Sequence, residues 1–344
     1  MRAVRIAATG KPLVDAVVPA PEPAADEVLV RVRAAGICHS DVHYRNGVSP
    51  TGPLPITPGH EVAGTIERAG SRVSGLAPGD RVALHYMVTC GLCEYCARGA
   101  EQFCATGRMI GKHVDGGYAE YLCIPARSAV RLPDAVSFEH GAVMMCSTAT
   151  SFHALRKARL APGERVAVIG AGGLGLSAVQ LARASGAAAV FAVDVNPERL
   201  AQAARFGAVA VDARRQDPVR AIRDLTGGSG VDVALELIGS AQTMQQAVRV
   251  LAVFGRAVLV GITRQSFAVD SYGEVIGREA EIIGGSDHLR SELPVILDMA
   301  ARGALDLAGI VGRTVPLEAA AINAVMGELE NNRAPARTVI VPQR

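Results

Sequence analysis

An alternation of short apolar runs with amphipathic stretches, from about residue 163 to about residue 285, constrains the fold of this 344-residue chain most strongly. The apolar runs are ERVAVIG, AAVFAVDV, AVAVD, VDVALEL, RAVLVGI and AEIIGG. The stretches between them have helical spacing, and the first, LGLSAVQLARASG, ends at Gly186. Nearly continuous apolar strands separated by helices indicate a parallel sheet covered on both faces. We therefore predict an α/β unit built on a doubly wound sheet of six parallel strands.

The turn after the first of these strands is rich in glycine and reads GAGGLG. Gly170, Gly172 and Gly175 follow the G-x-G-x-x-G spacing that lets a backbone approach a pyrophosphate. Gly173 and Leu174 lie where the next helix starts, and the unpaired N–H groups of a helix start favour phosphate. The alternative is a merely tight strand-to-helix turn, because the spacing alone is weak in a chain with 37 glycines.

An acidic residue at the end of the second strand favours the dinucleotide interpretation. Asp194 stands about 20 residues beyond the last glycine, where such domains carry the acid that binds the ribose. A carboxylate there accepts hydrogen bonds from an adenosine 2′-hydroxyl and repels a 2′-phosphate, so NAD is favoured over NADP. Arg199, in the following helix, either neutralises a phosphate or stacks beside the adenine. We therefore predict an NAD site that includes both residues.

The first part of the chain has a different texture. Residues 1–148 are rich in glycine and proline, with apolar runs such as EVLVRVRAAG and DRVALHYM between turn signals. This texture is typical of an all-β, loop-rich region. From about residue 290 the chain holds two helical patterns and a final strand pattern, ARTVIVP. This last part either extends the parallel sheet or returns to the first region, and the length of the chain predicts two domains.

Composition excludes several classes of protein. Hydrophobic residues make up 49% and charged residues 20% of the chain, which is typical of a globular protein. The net charge is +2 and basic residues are scattered, so we expect no nucleic-acid partner. The sequence has neither a signal-peptide pattern nor an apolar stretch of about 18 residues. We expect a cytoplasmic protein without a membrane partner, whose clustered cysteines are metal ligands rather than disulfides.

One cluster, CGLCEYCARGAEQFC, contains four of the seven cysteines. Cys90, Cys93, Cys96 and Cys104 have C-x2-C-x2-C-x7-C spacing. Four thiolates in one short loop fit a closed, tetrahedral and therefore structural zinc site. An iron–sulfur cluster is the main competitor, since soft thiolates serve both metals. The third gap is longer than in the bacterial ferredoxin pattern and no proline follows the last cysteine, so we favour zinc.

A second candidate metal site is scattered along the chain. The stretch GICHSDVHY offers Cys38, PGHEVAG offers His60 beside Glu61, and MMCSTATSFH offers Cys146. One histidine and two cysteines are a ligand set of catalytic zinc, with the fourth position open for water or substrate. The alternative is a buried cysteine near a core histidine, because ligands so far apart in sequence converge only through the fold.

These motifs together resemble one known family. CHSDVH, GHEVAG, the four-cysteine loop, Cys146 and GAGGLG are similar to the zinc-dependent alcohol dehydrogenases of the medium-chain dehydrogenase/reductase superfamily. The similarity runs over essentially the whole chain and is greatest to the microbial tetrameric branch. It implies a GroES-like catalytic domain (residues 1–148 and 290–344), a Rossmann NAD-binding domain (residues 149–289) and assembly as a homotetramer.

The resemblance implies a set of metal-binding residues. Cys38, His60 and Cys146 would bind the catalytic zinc, with Glu61 behind the metal as an occasional alternative ligand. Asp41 falls where the family has the acid that orients the ligand histidine, a role with its own physical reason. The four-cysteine loop would hold a structural zinc, which gives two zinc ions per chain.

The resemblance also assigns residues to proton transfer and to the cofactor. The matching residues are Ser40 and His43 for the proton relay, Thr150 for a nicotinamide contact and Arg337 for a pyrophosphate contact. Ser40 has an alternative structural role as the cap of a helix that starts within SDVHYRNG, with Asp41 in its first turn. The two roles of Ser40 are compatible.

The implied reaction is the reversible oxidation of primary or secondary alcohols to aldehydes or ketones, with hydride transfer to NAD. The partner is thus a small alcohol or carbonyl compound. A polyol or amino-alcohol dehydrogenase is the alternative, although such enzymes typically carry glutamate where Cys146 stands. A noncatalytic NAD-binding zinc protein is a further alternative, which the intact Ser40 and His43 pair speaks against.

Two other histidines lie close to these motifs in sequence. His85, with Tyr86 and Met87 in ALHYMVT, belongs to a segment that often walls the substrate pocket in this family. It either faces that pocket or faces solvent. His39 has no motif around it, and we expect a surface or packing residue.

Overall fold

The computed structural model describes residues 1–331 and 337–342. They form two compact units. The first consists of Met1–Cys146, Leu289–Gly303 and the described part of Leu307–Arg344, and the second of Ser147–His288 with Ala304–Asp306. Within the described residues, no helix is both long and apolar enough to cross a membrane.

Strands and helices alternate along the chain. The strands are β1 (Arg2–Arg5), β2 (Val14–Val17), β3 (Glu27–Ile37), β4 (Glu61–Ala69), β5 (Arg81–Leu84), β6 (Met87–Val88), β7 (Arg108–Met109), β8 (Tyr121–Pro125), β9 (Ala129–Arg131), β10 (Arg165–Ile169), β11 (Ala189–Asp194), β12 (Val209–Asp212), β13 (Val231–Glu236), β14 (Leu251–Leu259), β15 (Glu281–Gly284), β16 (Arg313–Pro316) and β17 (Thr338–Val341). The α-helices are α1 (His39–Arg45), α2 (Glu94–Ala97), α3 (Phe138–Val143), α4 (Ala149–Lys157), α5 (Gly173–Ala184), α6 (Pro197–Arg205), α7 (Pro218–Leu225), α8 (Ala241–Arg249), α9 (Leu293–Ala301) and α10 (Ala319–Glu330). Short 3₁₀ or π segments cover Glu101–Phe103, Ala126–Ser128, Met144–Thr148, Ser271–Val275, Ile276–Arg278 and Arg290–Glu292.

The second unit is built on a parallel sheet of six strands in the order β12-β11-β10-β13-β14-β15. This order reverses between β10 and β13, which is the topology of a Rossmann fold. The central strands are apolar because helices cover both faces of such a sheet, and Val166 and Val233 are fully buried. The predicted fold class, with six parallel strands, is confirmed.

The first unit is built on a seven-stranded sheet in the order β16-β17-β3-β4-β5-β9, with β8 also paired to β3. In its register Gly36 lies opposite Glu61, and Ile37 lies opposite Thr338. One end of this sheet therefore brings together the residues that follow β3 and those that precede or begin β4 and β17. The chain segment after residue 290 thus returns to the first unit through β17, which resolves the alternative left open by the sequence.

The predicted domain limits differ slightly from the two units. The predicted domain boundaries follow residues 148 and 289, whereas the boundaries between the two units follow Cys146 and His288. Residues 304–306 group with the second unit, although the prediction assigned all of 290–344 to the first domain.

Candidate active site

Helix α1 carries several of the predicted site residues, and its start is fixed by Asp41. The Cys38 N–H donates to Asp41 Oδ2 at 2.9 Å, so Cys38 holds the capping position in extended backbone. The alternative role of Ser40 as the cap of this helix is wrong, because the helix begins at His39 and Ser40 lies within its first turn. Asp41 does lie in the first turn, where its carboxylate accepts the N–H of the capping residue, Cys38.

Four candidate ligands from three separate stretches converge beside this helix. The ligand atoms of Cys38, His60, Glu61 and Cys146 all lie within 4.8 Å of one another. The pairing of β3 with β4 brings the first three together, and the π segment after α3 supplies the last. Two thiols and an imidazole are the donors that zinc prefers. The donor set and its spacing therefore fit a zinc ion, with a carboxylate as an additional neighbour.

The charges in this cluster also suit a cation. The contact with Cys146 and the nearby His60 and Arg337 hold the pKa of the Cys38 thiol well below its usual value, although burial opposes them. Burial alone would lower the pKa of His60, but Asp41 and Cys38 raise it to about 10. The pocket thus favours thiolate, the form that binds metal, together with a positive charge beside it. A metal ion would replace the imidazole proton as that charge.

A buried chain of contacts orients His60. Asp41 Oδ1 lies 3.4 Å from His60 Nδ1, which leaves Nε2 for a metal. The Tyr118 hydroxyl donates to Asp41 Oδ2 at 3.0 Å. Burial and the Asp41 charge raise the pKa of Tyr118 well above its usual value, so the phenol keeps its proton and acts as donor. Tyr118 was not predicted from the sequence, because no local pattern links it to Asp41, which lies 77 positions away.

Glu61 forms a buried ion pair with Arg337. Its Oε1 accepts from the guanidinium, whereas no donor among the described residues reaches Oε2. A Cβ at Gly36 would overlap Oε2, so a larger residue at that position in β3 would displace the Glu61 carboxylate. The pyrophosphate contact predicted for Arg337 stays a prediction, and the structure adds its pairing with the residue next to His60.

Ser40 and His43 occupy neighbouring positions on α1. Residues three apart share a helix face, and Ser40 Oγ lies 3.7 Å from Cys38 Sγ. Partial burial and the nearby His39 lower the pKa of His43, so its imidazole is neutral at neutral pH. His39 is exposed, as expected, but its ring centre lies 4.8 Å from that of His43. His39 and His43 are four positions apart, and this helical spacing is the sequence feature from which their contact could have been predicted.

The four-cysteine loop forms a second cluster. The sulfur atoms of Cys90, Cys93, Cys96 and Cys104 lie within 4.8 Å of one another, and none is in a disulfide. N–H groups of Leu92 and Cys93 donate to Cys90 Sγ at 3.4 and 3.3 Å, and these bonds lower the pKa of Cys90 to about 6. The Cys90 thiolate is thus stabilised, whereas burial raises the pKa of Cys96 to about 12. Four sulfur donors in one loop fit a closed metal site.

In the second unit, the GAGGLG turn has the form of a dinucleotide site. A Cβ on Gly175 would overlap the carbonyl oxygen of Gly170, whereas a Cβ on Gly172 would meet nothing within 4 Å. The open space at Gly172 leaves room for the phosphate expected there, and a side chain would narrow it. Helix α5 begins at Gly173, one residue before Leu174. Its N-terminal N–H groups therefore lie beside that space.

Asp194 ends β11 and is nearly fully buried. Its Oδ2 accepts the Ala171 N–H at 2.7 Å and its Oδ1 accepts the Asn196 N–H at 2.8 Å, which fixes the carboxylate at the rim of a cavity of about 620 Å³. Each oxygen retains a lone pair for a ribose hydroxyl. Arg199 is half-buried in the first turn of α6, and Thr150 is buried in α4. Their cofactor contacts stay predictions.

The segment around His85 is buried. His85 is 1% exposed and Tyr86 is 2% exposed, so the alternative that His85 faces solvent is wrong. Met87 lies in β6, which pairs with β7, and it is also buried. The ring of Tyr86 meets that of His60 edge to face, with 5.4 Å between centres. The segment therefore packs directly against a candidate metal ligand.

Together, a doubly wound sheet with a glycine-rich turn and a buried thiol–imidazole cluster define a metal-dependent, dinucleotide-binding dehydrogenase. Residues 24–134 match the family model of the alcohol dehydrogenase GroES-like domain, and residues 173–302 match that of the zinc-binding dehydrogenases. The chain belongs to the zinc-dependent alcohol dehydrogenases of the medium-chain dehydrogenase/reductase superfamily, as the resemblance indicated.

Individual relatives agree with this membership. An NAD-dependent alcohol dehydrogenase of Sulfurisphaera tokodaii is 39% identical over 99% of this chain and 100% of the relative. A sorbitol dehydrogenase of Bacillus subtilis is 33% identical over 87% of this chain and 86% of the relative. The solved structure of alcohol dehydrogenase TADH from Thermus sp. ATN1 superimposes with a TM-score of 0.93 at 32% identity and full coverage of both chains.

Proposed function

We propose that this protein is an NAD-dependent zinc alcohol dehydrogenase that interconverts primary or secondary alcohols with aldehydes or ketones. The observation that carries the proposal is the convergence of Cys38, His60 and Cys146 beside the helix that bears Ser40 and His43. The names of the relatives support the reaction, and Asp194 at the end of β11 supports NAD as the acceptor.

Each residue has a distinct part in this reaction. When bound, zinc supplies Lewis acidity that lowers the pKa of a hydroxyl group placed at its open position. Ser40 would take up the hydroxyl proton, and His43 would accept it on its way to solvent because its imidazole is neutral. Asp41 holds the ring of His60 in place. NAD, held by the GAGGLG turn and Asp194, would supply the hydride acceptor, so the alcohol would lose one hydride from its carbinol carbon and one proton from its hydroxyl group.

The two sulfur-rich clusters support a loading of two zinc ions per chain, one catalytic and one structural. Cluster cysteines stay reduced in the cytoplasm, which is where we place the protein. We further propose a homotetramer that acts on a small alcohol or carbonyl compound and has neither a nucleic-acid nor a membrane partner. An elution volume that corresponds to a single 35.7 kDa chain would contradict the tetramer.

A polyol dehydrogenase is the second candidate function, favoured by the similarity to the Bacillus subtilis sorbitol dehydrogenase. Cys146 in the ligand cluster weighs against it, since polyol enzymes typically have glutamate there. The buried His85 beside Tyr86 adds a polar group near the ligand histidine, which suits substituted or secondary alcohols as well as short primary ones.

The test is NADH formation with a panel of primary, secondary and polyol alcohols, run in parallel with NADP as acceptor. We expect turnover with NAD and substituted or secondary alcohols among the substrates. A profile confined to sorbitol-like polyols would favour the second candidate. Tight NAD binding and full zinc loading without turnover on any alcohol would favour a noncatalytic role.

A further inference from the structure

A buried phenol lies next to the pair that orients the ligand histidine. Tyr118 is fully buried, and its hydroxyl donates to Asp41 Oδ2 at 3.0 Å. Asp41 is also fully buried, and its Oδ1 has His60 Nδ1 as neighbour at 3.4 Å. The three side chains therefore form a continuous line from the phenol to the imidazole.

Tyr118 is itself held in one position. Its N–H donates to the Pro58 carbonyl at 3.0 Å, and its carbonyl accepts the Val4 N–H at 2.8 Å. The Cδ1 and Cε1 atoms of its ring lie against Gly59, where φ is +96° and a Cβ would overlap them. The tyrosine thus packs on the segment that carries His60, and the glycine before that histidine makes room for it.

The carboxylate of Asp41 depends on this phenol. Its Oδ2 accepts two hydrogen bonds, from the Cys38 N–H at 2.9 Å and from Tyr118. The first bond ties the carboxylate to Cys38, a candidate ligand. The second ties it to Tyr118, which packs on the segment that carries His60. A buried carboxylate that loses one of two donors is less well compensated and less fixed in rotation. Its Oδ1 would then hold the imidazole less firmly.

We propose that Tyr118 is a positioning residue that fixes Asp41 and, through it, the orientation of His60 as a metal ligand. The inference rests on the proposed function, because it requires zinc at the Cys38, His60 and Cys146 cluster. Tyr118 touches neither the metal nor the substrate in this account. Its effect is expected in the retention of zinc, with loss of turnover following from loss of metal.

Tyr118→Phe removes only the hydroxyl, and Tyr121→Phe is the matched control in the adjacent strand β8. Zinc release from the loaded enzyme to a chromogenic chelator is followed together with residual activity. Zinc whose release is accompanied by loss of activity is assigned to the catalytic cluster. Zinc whose release leaves the activity unchanged is assigned to the four-cysteine loop. We expect release from the catalytic cluster to be about tenfold faster in Tyr118→Phe, as for other groups that orient ligands. Release from the loop and from Tyr121→Phe should match the wild type.

Release at the wild-type rate in Tyr118→Phe would overturn the inference. Equal acceleration at both zinc sites would also overturn it, since that result signals general loosening. Combining Tyr118→Phe with Asp41→Asn tests whether Tyr118 acts through Asp41. In the Asp41→Asn variant, adding Tyr118→Phe should raise the rate of zinc release by less than about twofold. A further rise of about tenfold would exclude action through Asp41. A wild-type enzyme whose activity does not depend on releasable zinc would instead overturn the proposed function itself.

Discussion

Two glycines of the same motif have opposite surroundings. Gly175 is pressed against the Gly170 carbonyl, so the turn cannot close around a larger residue. Gly172 faces open space and has φ −73°, a backbone conformation that any residue adopts. Gly175 is thus required by the fold, whereas Gly172 leaves room for the group that binds beside the turn.

Gly172→Ala should therefore weaken cofactor binding without weakening the fold. The added methyl group projects into the space assigned to the pyrophosphate, and we expect the Kd of NAD to rise by about tenfold, which corresponds to ~1.4 kcal/mol. Fluorescence titration with NADH measures the affinity, and thermal unfolding checks that Tm is unchanged. Gly175→Ala serves as contrast and should lower Tm. Unchanged NADH affinity in Gly172→Ala would place the cofactor elsewhere.

Turnover is expected to depend on His43 because this residue accepts the substrate proton. Its pKa lies below the ordinary histidine value, so it is a competent base at neutral pH and loses that capacity only on acidification. His43→Ala should lower kcat by roughly a hundredfold with unchanged zinc content, and the deficit should shrink at alkaline pH as solvent base takes over. His140→Ala, another half-buried histidine with a lowered pKa, is the control. A wild-type kcat in His43→Ala would remove it from the relay.

At the scale of elements, β3 organises the first unit. It pairs with β4, β8 and β17, and the residues just beyond its end include Cys38. The short strand β1 is attached next to this sheet through a reciprocal bridge. The Arg2 N–H and guanidinium donate to Glu120 at 2.8 and 3.0 Å, and the Glu120 N–H donates to the Arg2 carbonyl at 3.1 Å.

Glu120→Gln should lower stability in a pH-dependent way. Partial burial would raise the pKa of Glu120, but its bonds with Arg2 more than offset this and lower it. A carboxyl with a lowered folded-state pKa stabilises the fold above its unfolded pKa, and this stability is lost as pH falls through the folded pKa. We expect a loss of less than about 1 kcal/mol at pH 7, since the pair is partly solvent-exposed.

Urea unfolding of wild type and Glu120→Gln at neutral and acidic pH measures this difference. Below the folded-state pKa of Glu120, both proteins carry a neutral group and their stabilities should converge. A difference that stays constant from neutral to acidic pH would show that the ion pair with Arg2 contributes nothing.

At the scale of the whole molecule, local patterns in the sequence predicted most of the architecture. The parallel sheet and the GAGGLG turn follow from periodicity and glycine spacing, which are properties of neighbouring residues. The course of the last strand did not follow, because ARTVIVP fits either sheet equally well until β17 pairs with β3.

The candidate site was predictable only in part. Cys38, His60 and Cys146 were assigned by resemblance, since nothing local indicates that they meet. Tyr118 and the pairing of Glu61 with Arg337 join positions 77 and 276 residues apart, and such contacts arise only from the register of the folded sheet. Serine is a commoner helix cap than cysteine, which is why the alternative role of Ser40 as the cap was considered. In the structure Cys38 caps the helix, and its N–H donates to Asp41.

The central claim is that alcohol oxidation depends on a metal held by Cys38, His60 and Cys146. The most direct measurement is the zinc content of purified wild type and Cys146→Ala, combined with the NADH-forming rate of the same preparations. We predict about two zinc ions per chain in the wild type and about one in the variant, with turnover lost in the variant. Full zinc content and wild-type turnover in Cys146→Ala would contradict the account.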